Sequence, residues 1–560
     1  MNRALCLLII VATSLAYAGS FRAEFILDDF DSIVRNGDIH SLQWEAIRTT
    51  YGPTRAVVAT TVAANYWFGG IDPVGYHLIN LLVHVAAALT LFGIVWRLLR
   101  GTGWGNSSER IAFVAALIFA VHPLQTSAVT YVIQRMESMT SLFYLLTAYT
   151  LVRAAQSRRA AWWSLASVLF YFLAIFSKEV ALTAPAVALL LDRAFLARSW
   201  GAIWEHRRWL YIAYAIPLLI FFVTLSPKLH LLQSDYGEQV ILGIDPDKLE
   251  SKQAAENRPA NLHPIRSELI EEAASIDMPS IVAATGPTLN QFVRSQPVVI
   301  LHYFRLAILP VGQCFDYQWQ PETSWLRIGL ASAVILSMIG VSAFVLMLPG
   351  KADRRHQLAF AVLSIFVMLS PRSTLQVLDL AVEYRMYLPM AVGTTLMAVG
   401  LAVVVNRLIA KKNRNIAFAL LAAMLCLFFA RQTIARNELF ASRLRMWEDV
   451  VATSPLNARA RLNYATALAA SGRQAESLEQ TQIAVDRFSQ PAIQQTDPAE
   501  AYRLLGDRLL DAGRDDESRR AYLIVLNLDR SNTSVYPGLA ELTLRAGEPE
   551  RAGTIFRATR

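Results

Sequence analysis

The strongest constraint on this 560-residue chain is a succession of apolar segments, each close to the length of a membrane span. They run over residues 4–18, 76–98, 111–122, 137–154, 161–177, 180–196 and 209–225. After a long polar stretch they resume over 326–349, 357–371, 387–408 and 415–431. A helix needs about 20 apolar residues to cross the hydrocarbon layer, so the pattern predicts about eleven transmembrane helices. The residue balance agrees. The chain is 54% hydrophobic and 17% charged, where a soluble protein carries roughly 25% charged residues. The formal net charge of +8 fits Lys/Arg in cytoplasmic loops. No basic tract interleaved with aromatics points to nucleic acid. Cys6, Cys314 and Cys426 form neither a disulfide framework nor a metal-ligand spacing.

Orientation follows from basic residues in short loops. Arg97/Arg100/Arg110, Arg153/Arg158/Arg159, Arg193/Arg198/Arg207/Arg208, Lys351/Arg354/Arg355 and Arg407/Lys411/Lys412/Arg414 fall on one side under two conditions. The N-terminus must be cytoplasmic, and residues 297–312 must be re-entrant or interfacial. Residues 4–18 followed by Ala16-Tyr17-Ala18 resemble a signal-peptidase site, but the reading keeps them as an uncleaved first helix. Loops 21–75 and 226–296 then lie outside, with the aromatic, half-polar residues 37–73 suited to the interface. The signal-like start and the compact layout suggest a bacterial inner membrane, with the outer face periplasmic.

Near Gln432 the chain turns polar and rich in Ala, Leu and Arg. ALAASGRQAESLEQTQIAV, RLLDAGRDDESRRAYLIVL and LTLRAGEPERAGTIF are related. Their turn glycines are Gly472, Gly513 and Gly547, and the second spacing of 34 residues is the tetratricopeptide period. The expected layout is therefore a transmembrane domain over 1–432 and an external tetratricopeptide-repeat domain over 433–560, an α-solenoid with a concave face.

Ionisable residues are costly near a membrane unless they face water, a cation or a reacting group. FILDDFDSIVRN places Asp28, Asp29 and Asp31 just past the first helix. A carboxylate there can take a proton from an acceptor hydroxyl, although a solvated acidic loop has the same look. His122 precedes a proline, and Arg135 and Glu137 open the next helix. Lys178 and Glu179 stand between two apolar segments. Glu383, Arg385 and Tyr387 precede another, and Arg305, Asp316 and Tyr317 lie in YFRLAILPVGQCFDYQW. Each has a plain alternative as a hairpin tip, a belt tyrosine or a snorkelling arginine. The predicted topology nevertheless brings them to one face. There, Lys and Arg could stabilise a departing phosphate.

The order of LDDFDSIVRN, GYHLINLLVH, HPLQTSAVTYVIQR, SKEVALTAP, FRLAILP, EYRMYLP, then Arg436-Asn437 leading to Trp447, then the repeats, resembles one family. It is that of the transmembrane and tetratricopeptide-repeat-containing O-mannosyltransferase-like proteins of the GT-C superfamily. The resemblance implies an all-α polytopic GT-C-type membrane domain followed by a tetratricopeptide solenoid. It implies inverting transfer of a sugar, mannose being the candidate, from a polyprenyl-phosphate donor to a protein Ser or Thr hydroxyl. Asp29 or its neighbour Asp28 would be the base. Arg385 and Lys178 would stabilise the lipid phosphate, Glu179 would orient Lys178, and His122, Arg135, Glu137, Arg305, Glu383 and Tyr387 would shape the donor pocket. The implied partners are the lipid-linked donor, the bilayer and an acceptor protein held by the repeats. No metal ligand is named, and a divalent cation stays open. Ser127 and the Glu383-Tyr384-Arg385 order depart from the usual family pattern. A non-catalytic membrane scaffold is the alternative of a different class. A lipid-linked sugar transporter is a third, but it would need polar residues near mid-membrane.

Overall fold

The structure, a computed structural model, describes residues 2–197, 199–225, 264–281, 286–348, 353–374, 379–489 and 496–558. Lys351 and Arg198 of the expected basic loops, residues 226–263 of the long loop, and most of the insertion between the first two repeats lie outside them. Among the described residues the chain is helical, with no strand. The helices are α1 (Arg3–Ala16), α2 (Trp44–Thr50), α3 (Ala56–Gly69), α4 (Pro73–Arg100), α5 (Ser108–Val121), α6 (Thr126–Val129), α7 (Arg135–Gln156) and α8 (Ala160–Ile175). Then come α9 (Ala184–Leu191), α10 (Trp200–Ala213), α11 (Ala215–Leu225), α12 (Pro264–Ser275), α13 (Leu289–Ile308), α14 (Trp325–Met347), α15 (Arg354–Thr374), α16 (Pro389–Leu408) and α17 (Arg414–Phe440). The chain continues with α18 (Arg443–Thr453), α19 (Ala458–Ala470), α20 (Gln474–Asp486), α21 (Pro498–Asp511), α22 (Asp515–Leu528), α23 (Tyr536–Arg545) and α24 (Pro549–Arg557).

Among the described residues, seven helices are long and apolar enough to cross a membrane, or eight if the pair Gly105–Val121 and Pro123–Val129, bent by 52°, is one span. The chain is an integral multi-pass membrane protein. The remaining expected spans differ for visible reasons. Residues 180–196 break into a 3₁₀ turn, the short α9 and a π turn. The helix α8 is a shorter apolar one, and α7 carries a polar first turn with Arg135, Glu137 and Ser138 buried. The helix α13 is not among the apolar spans. Polar residues such as Gln296 interrupt its sequence.

Between α5 and α7 the backbone leaves the helix, which frees carbonyls deep in the protein. Such groups need internal partners. The helix α4 supplies several from one face. Asn80 Nδ2 donates to the carbonyls of Val129 (3.0 Å) and Val132 (3.2 Å). His84 Nε2 lies 3.0 Å from the Ala120 carbonyl, and its Nδ1 lies 2.7 Å from the Tyr387 hydroxyl. From α17, Thr433 donates to the Val121 carbonyl at 2.7 Å. This irregular stretch is thereby fixed against α1, α4 and α17.

Beyond α18 the chain forms antiparallel pairs: α19/α20, α21/α22 and α23/α24. Gly472, Gly513 and Gly547 turn each pair with φ of 78°, 70° and 87°, a conformation that glycine adopts without cost. Equivalent bonds recur. Ser477 donates to the Ala465 carbonyl at 2.7 Å, and Ser518 to that of Gly506 at 2.8 Å. Between pairs, the Tyr522 ring wedges against Gly506 and Gly538. A Cβ at those positions would stand 2.5 Å and 2.4 Å from it. The helix α12, from the long loop, packs on α22 and α24. It buries Ile265, Leu269 and Ala273 in the same core, and Glu272 and Glu268 meet Arg519 and Arg551 at 2.7 Å and 2.5 Å.

Candidate functional site

The stretch after α1 folds back under the repeats. Leu27 takes a positive φ of 46°, uncommon for a residue with a side chain, and the two aspartates that follow face different ways. Asp29 is fully buried. Its Oδ2 accepts from Ile26 N at 3.1 Å and its Oδ1 from Ile133 N at 2.8 Å, which ties the loop to residues 132–134. Burial pushes its carboxyl up to about 8, against the pull of those backbone donors. Asp28 instead stays exposed in a cleft of about 480 Å³ whose other wall includes Trp447, Asn463 and Thr466. Its backbone N–H donates to the Tyr131 hydroxyl at 3.0 Å. The crowded walls raise its carboxyl above the usual range, while Tyr131 and Arg459 oppose the rise. Asp31 is exposed and paired with Arg35 at 2.9 Å.

Behind residues 132–134 lies a buried charge cluster. Lys178 Nζ meets Glu137 at 2.8 Å and Gln134 at 3.5 Å, and sits 5.4 Å from the centroid of the Tyr384 ring. Glu179 pairs with Arg55 and with Arg372, both at 3.1 Å, and Arg372 also reaches Glu137 at 3.5 Å. Burial lowers Lys178 to about 8, with Glu137 opposing. Glu179 falls to about 2, because Arg55 and Arg372 outweigh the desolvation that would raise it. Among the described residues, Arg55, Lys178 and Arg372 meet the carboxylates of Glu137 and Glu179 here. The Arg372 Nε is buried and has no hydrogen-bond partner among the described residues. Arg55 and Arg372 were not singled out by sequence. They meet Glu179 across large separations, 124 residues for Arg55, and no local pattern marks such pairs.

The structure gives several other candidates backbone partners. His122 is buried, with Nε2 3.0 Å from the Ala307 carbonyl, and its Nδ1 accepts from Leu124 N at 3.2 Å. Arg135 is buried and donates to Asn80 Oδ1 (2.7 Å) and to the carbonyls of Tyr76 (3.0 Å) and Thr61 (3.2 Å). Arg385 donates to the carbonyls of Leu380 (2.9 Å) and Asp379 (2.7 Å). Tyr387 is buried against His84. Arg305 is exposed and donates to the Val311 carbonyl at 2.9 Å. Glu383 is buried and accepts from Cys314 N (2.8 Å), the Tyr317 hydroxyl (2.8 Å) and Gln313 Nε2 (2.9 Å), with Arg436 at 3.6 Å. So Glu137, Lys178 and Glu179 come together in one charged cluster, and Asp29 adjoins it through Ile133. The others hold backbone elsewhere: His122 and Arg135 join their ends of the α5–α7 connection to α13, α3 and α4, while Arg305, Glu383 and Arg385 fix residues 311–317 and 379–380. Among the described residues no three of His, Cys, Asp and Glu form a metal-sized group.

Residues 77–226 match the family described as dolichyl-phosphate-mannose-protein mannosyltransferase. This segment contains the irregular stretch and Lys178-Glu179. The human protein O-mannosyl-transferase TMTC1 is 24% identical over 517 residues, covering 86% of this chain and 55% of that protein. Over these stretches the chain is similar in sequence to protein O-mannosyl-transferases. A Drosophila melanogaster protein O-mannosyl-transferase, Tmtc1, is 30% identical over 190 residues, covering 31% of this chain and 21% of its own. The chain thus spans about half the length of the human relative. The crystal structure of ArnT from Cupriavidus metallidurans bound to undecaprenyl phosphate aligns over 97% of this chain and 81% of that one. Its TM-score is 0.38 at 13% identity, a likeness too slight to carry an argument.

Proposed function

We propose that the chain transfers a sugar, mannose being the candidate, from a polyprenyl-phosphate donor to a Ser or Thr hydroxyl of a protein. One observation carries the reading: an accessible carboxylate, Asp28, stands in a cleft between the first loop and the first helix pair, with a cation-rich buried cluster behind it. Asp28 takes the acceptor proton as the hydroxyl oxygen attacks the anomeric carbon. The lipid phosphate leaves with the bonding pair, and the configuration inverts. Asp29, with both oxygens held by backbone donors, anchors the loop. Lys178, Arg372 and Arg55 bind the departing phosphate, with the buried Arg372 Nε as one available donor. An apolar groove of about 590 Å³ lined by Pro53, Ala56, Val57, Phe172, Phe176 and Ile220, residues that flank Arg55 in sequence among them, suits a polyprenyl chain. The helix pairs hold the acceptor polypeptide over the cleft and raise its effective concentration. The distribution of basic loops supports reading this face as the outer one, periplasmic if the membrane is a bacterial inner one.

The test is transfer from radiolabelled polyprenyl-phosphate sugars onto membrane proteins, comparing wild type, Asp28→Asn, Asp29→Asn and Lys178→Ala at equal expression. The reading expects labelling that disappears in Asp28→Asn and falls in Lys178→Ala. No labelling by wild type with any donor sugar would leave a scaffold as the better reading.

A further inference from the structure

Residues 312–319 are held from two sides. Glu383 binds Gln313, Cys314 and Tyr317 from the membrane domain. From the helix pairs comes Arg459, in the first turn of α19. Its Nε meets Asp316 Oδ2 at 2.8 Å and its Nη2 meets Oδ1 at 2.6 Å. The same Nη2 lies 3.0 Å from Asp379 Oδ1. Asn457 donates to the Asp316 carbonyl at 3.0 Å, and Gln318 Oε1 accepts from Ala458 N at 3.1 Å. Asp316 is 3% exposed. A two-point arginine–carboxylate pair with so little water is strong and directional, and losing one partner strands the other's charge. At the centre of the loop, Phe315 packs edge-on against Tyr131 (5.2 Å) and beside Trp447 (5.8 Å). Tyr131 is the residue bonded to Asp28.

We propose that Arg459 is a positioning residue for Asp28, so that the first helix pair forms part of the reacting end of the molecule as well as a platform for acceptors. Arg459 fixes loop 312–319, and through Phe315 and Tyr131 the placement of Asp28. It also sets the charge around that carboxylate. On Asp28's own loop stand Glu24, Asp29, Asp31 and Arg35. Tyr131 faces it from the irregular stretch and Arg443 from α18, and the charges of Arg459 and Asp379 reach it from outside the cleft lining. Arg443 is paired with Glu24 at 2.8 Å and Arg35 with Asp31, so these cancel locally. Removing Arg459 leaves Asp316 and Asp379 without their cation, and all three acids then resist one another's ionisation.

This inference rests on Asp28 as the base, and the test separates the two. Transfer by the full-length protein in nanodiscs is measured against pH for wild type, Arg459→Gln, Arg459→Lys, Asp379→Asn and Asp28→Asn. Arg459→Gln should move the acidic limb up by about half a pH unit or more, Asp379→Asn should move it down, and Arg459→Lys should restore much of the wild-type position. Shifts of opposite sign do not arise from general loosening. A uniform fall in rate with an unmoved limb in Arg459→Gln, while Asp28→Asn is inactive, overturns the role of Arg459 alone. Wild-type activity in Asp28→Asn overturns the base instead. Hydrogen exchange needs no donor. Arg459→Gln should speed exchange in residues 313–318 and 27–31, and unchanged protection in both refutes the proposed coupling.

Discussion

Asp28 and Asp29 are adjacent carboxylates that the fold puts in different surroundings, and their variants should fail differently. Asp28→Asn should reduce transfer by about a hundredfold or more with an unchanged melting temperature. Asp29→Asn should reduce stability by about 1–2 kcal/mol, because one backbone donor loses its acceptor. The sign of its pH effect follows from burial. The folded state holds a proton on Asp29 up to about pH 8, whereas the unfolded chain releases it near pH 4. Stability contributed by this group is therefore present in acid and lost as pH rises through about 8, and thermal melts of Asp29→Asn should lack that slope. Lys178 predicts the alkaline limb of activity. Its charge is lost as pH rises through about 8, so phosphate affinity should fall there, and Lys178→Arg should push the limb upward. Sequence reading reached Lys178-Glu179 and the acidic stretch because each is an anomaly within its own segment. It could not separate the roles of Asp28 and Asp29, which depend on where Ile133 N lies.

At the scale of elements, His122 and Arg135 show why a polar residue in an apolar context is ambiguous. They stand out in sequence as chemistry would, yet the bent connection between α5 and α7 needs tying to its neighbours and they do it: His122 accepts from Leu124 N and meets the Ala307 carbonyl of α13, and Arg135 donates to carbonyls of α3 and α4. Only the path of the backbone, with its 52° bend, reveals that need. The apolar segments were legible as helices because their length and hydropathy are local properties. The breaks within 180–196 depend on tertiary packing. In the repeats, the turn glycines announced the pairing, but the fit of Tyr522 between Gly506 and Gly538 did not. Gly538→Ala should cost about 1–3 kcal/mol by overpacking, and Tyr522→Leu in the same chain should recover part of that loss. Thermal unfolding of the full-length protein in detergent would show both.

Across the whole molecule, the polar residues gather at one end, where the first loop, the irregular stretch, loop 312–319 and α18–α19 meet. The pattern of basic loops led to the expectation of one shared face. It could not anticipate that the long polar loop would send α12 onto α22 and α24, since the partners lie far apart in sequence (247 residues for Arg519–Glu272). Arg519→Glu should loosen α12, detected as faster hydrogen exchange in residues 264–275, and Arg519→Glu combined with Glu272→Arg should restore protection. The seating of α12 also bears on how such proteins diverge and how they can be engineered. A recombination joint near residue 440 would separate Arg519 and Arg551 from their acids and uncover Leu269. The C-terminal helix pairs are therefore not a portable cassette. An exchange between relatives should succeed only when the donor's α12 travels with them, and otherwise the graft should expose an oily stripe and invite aggregation.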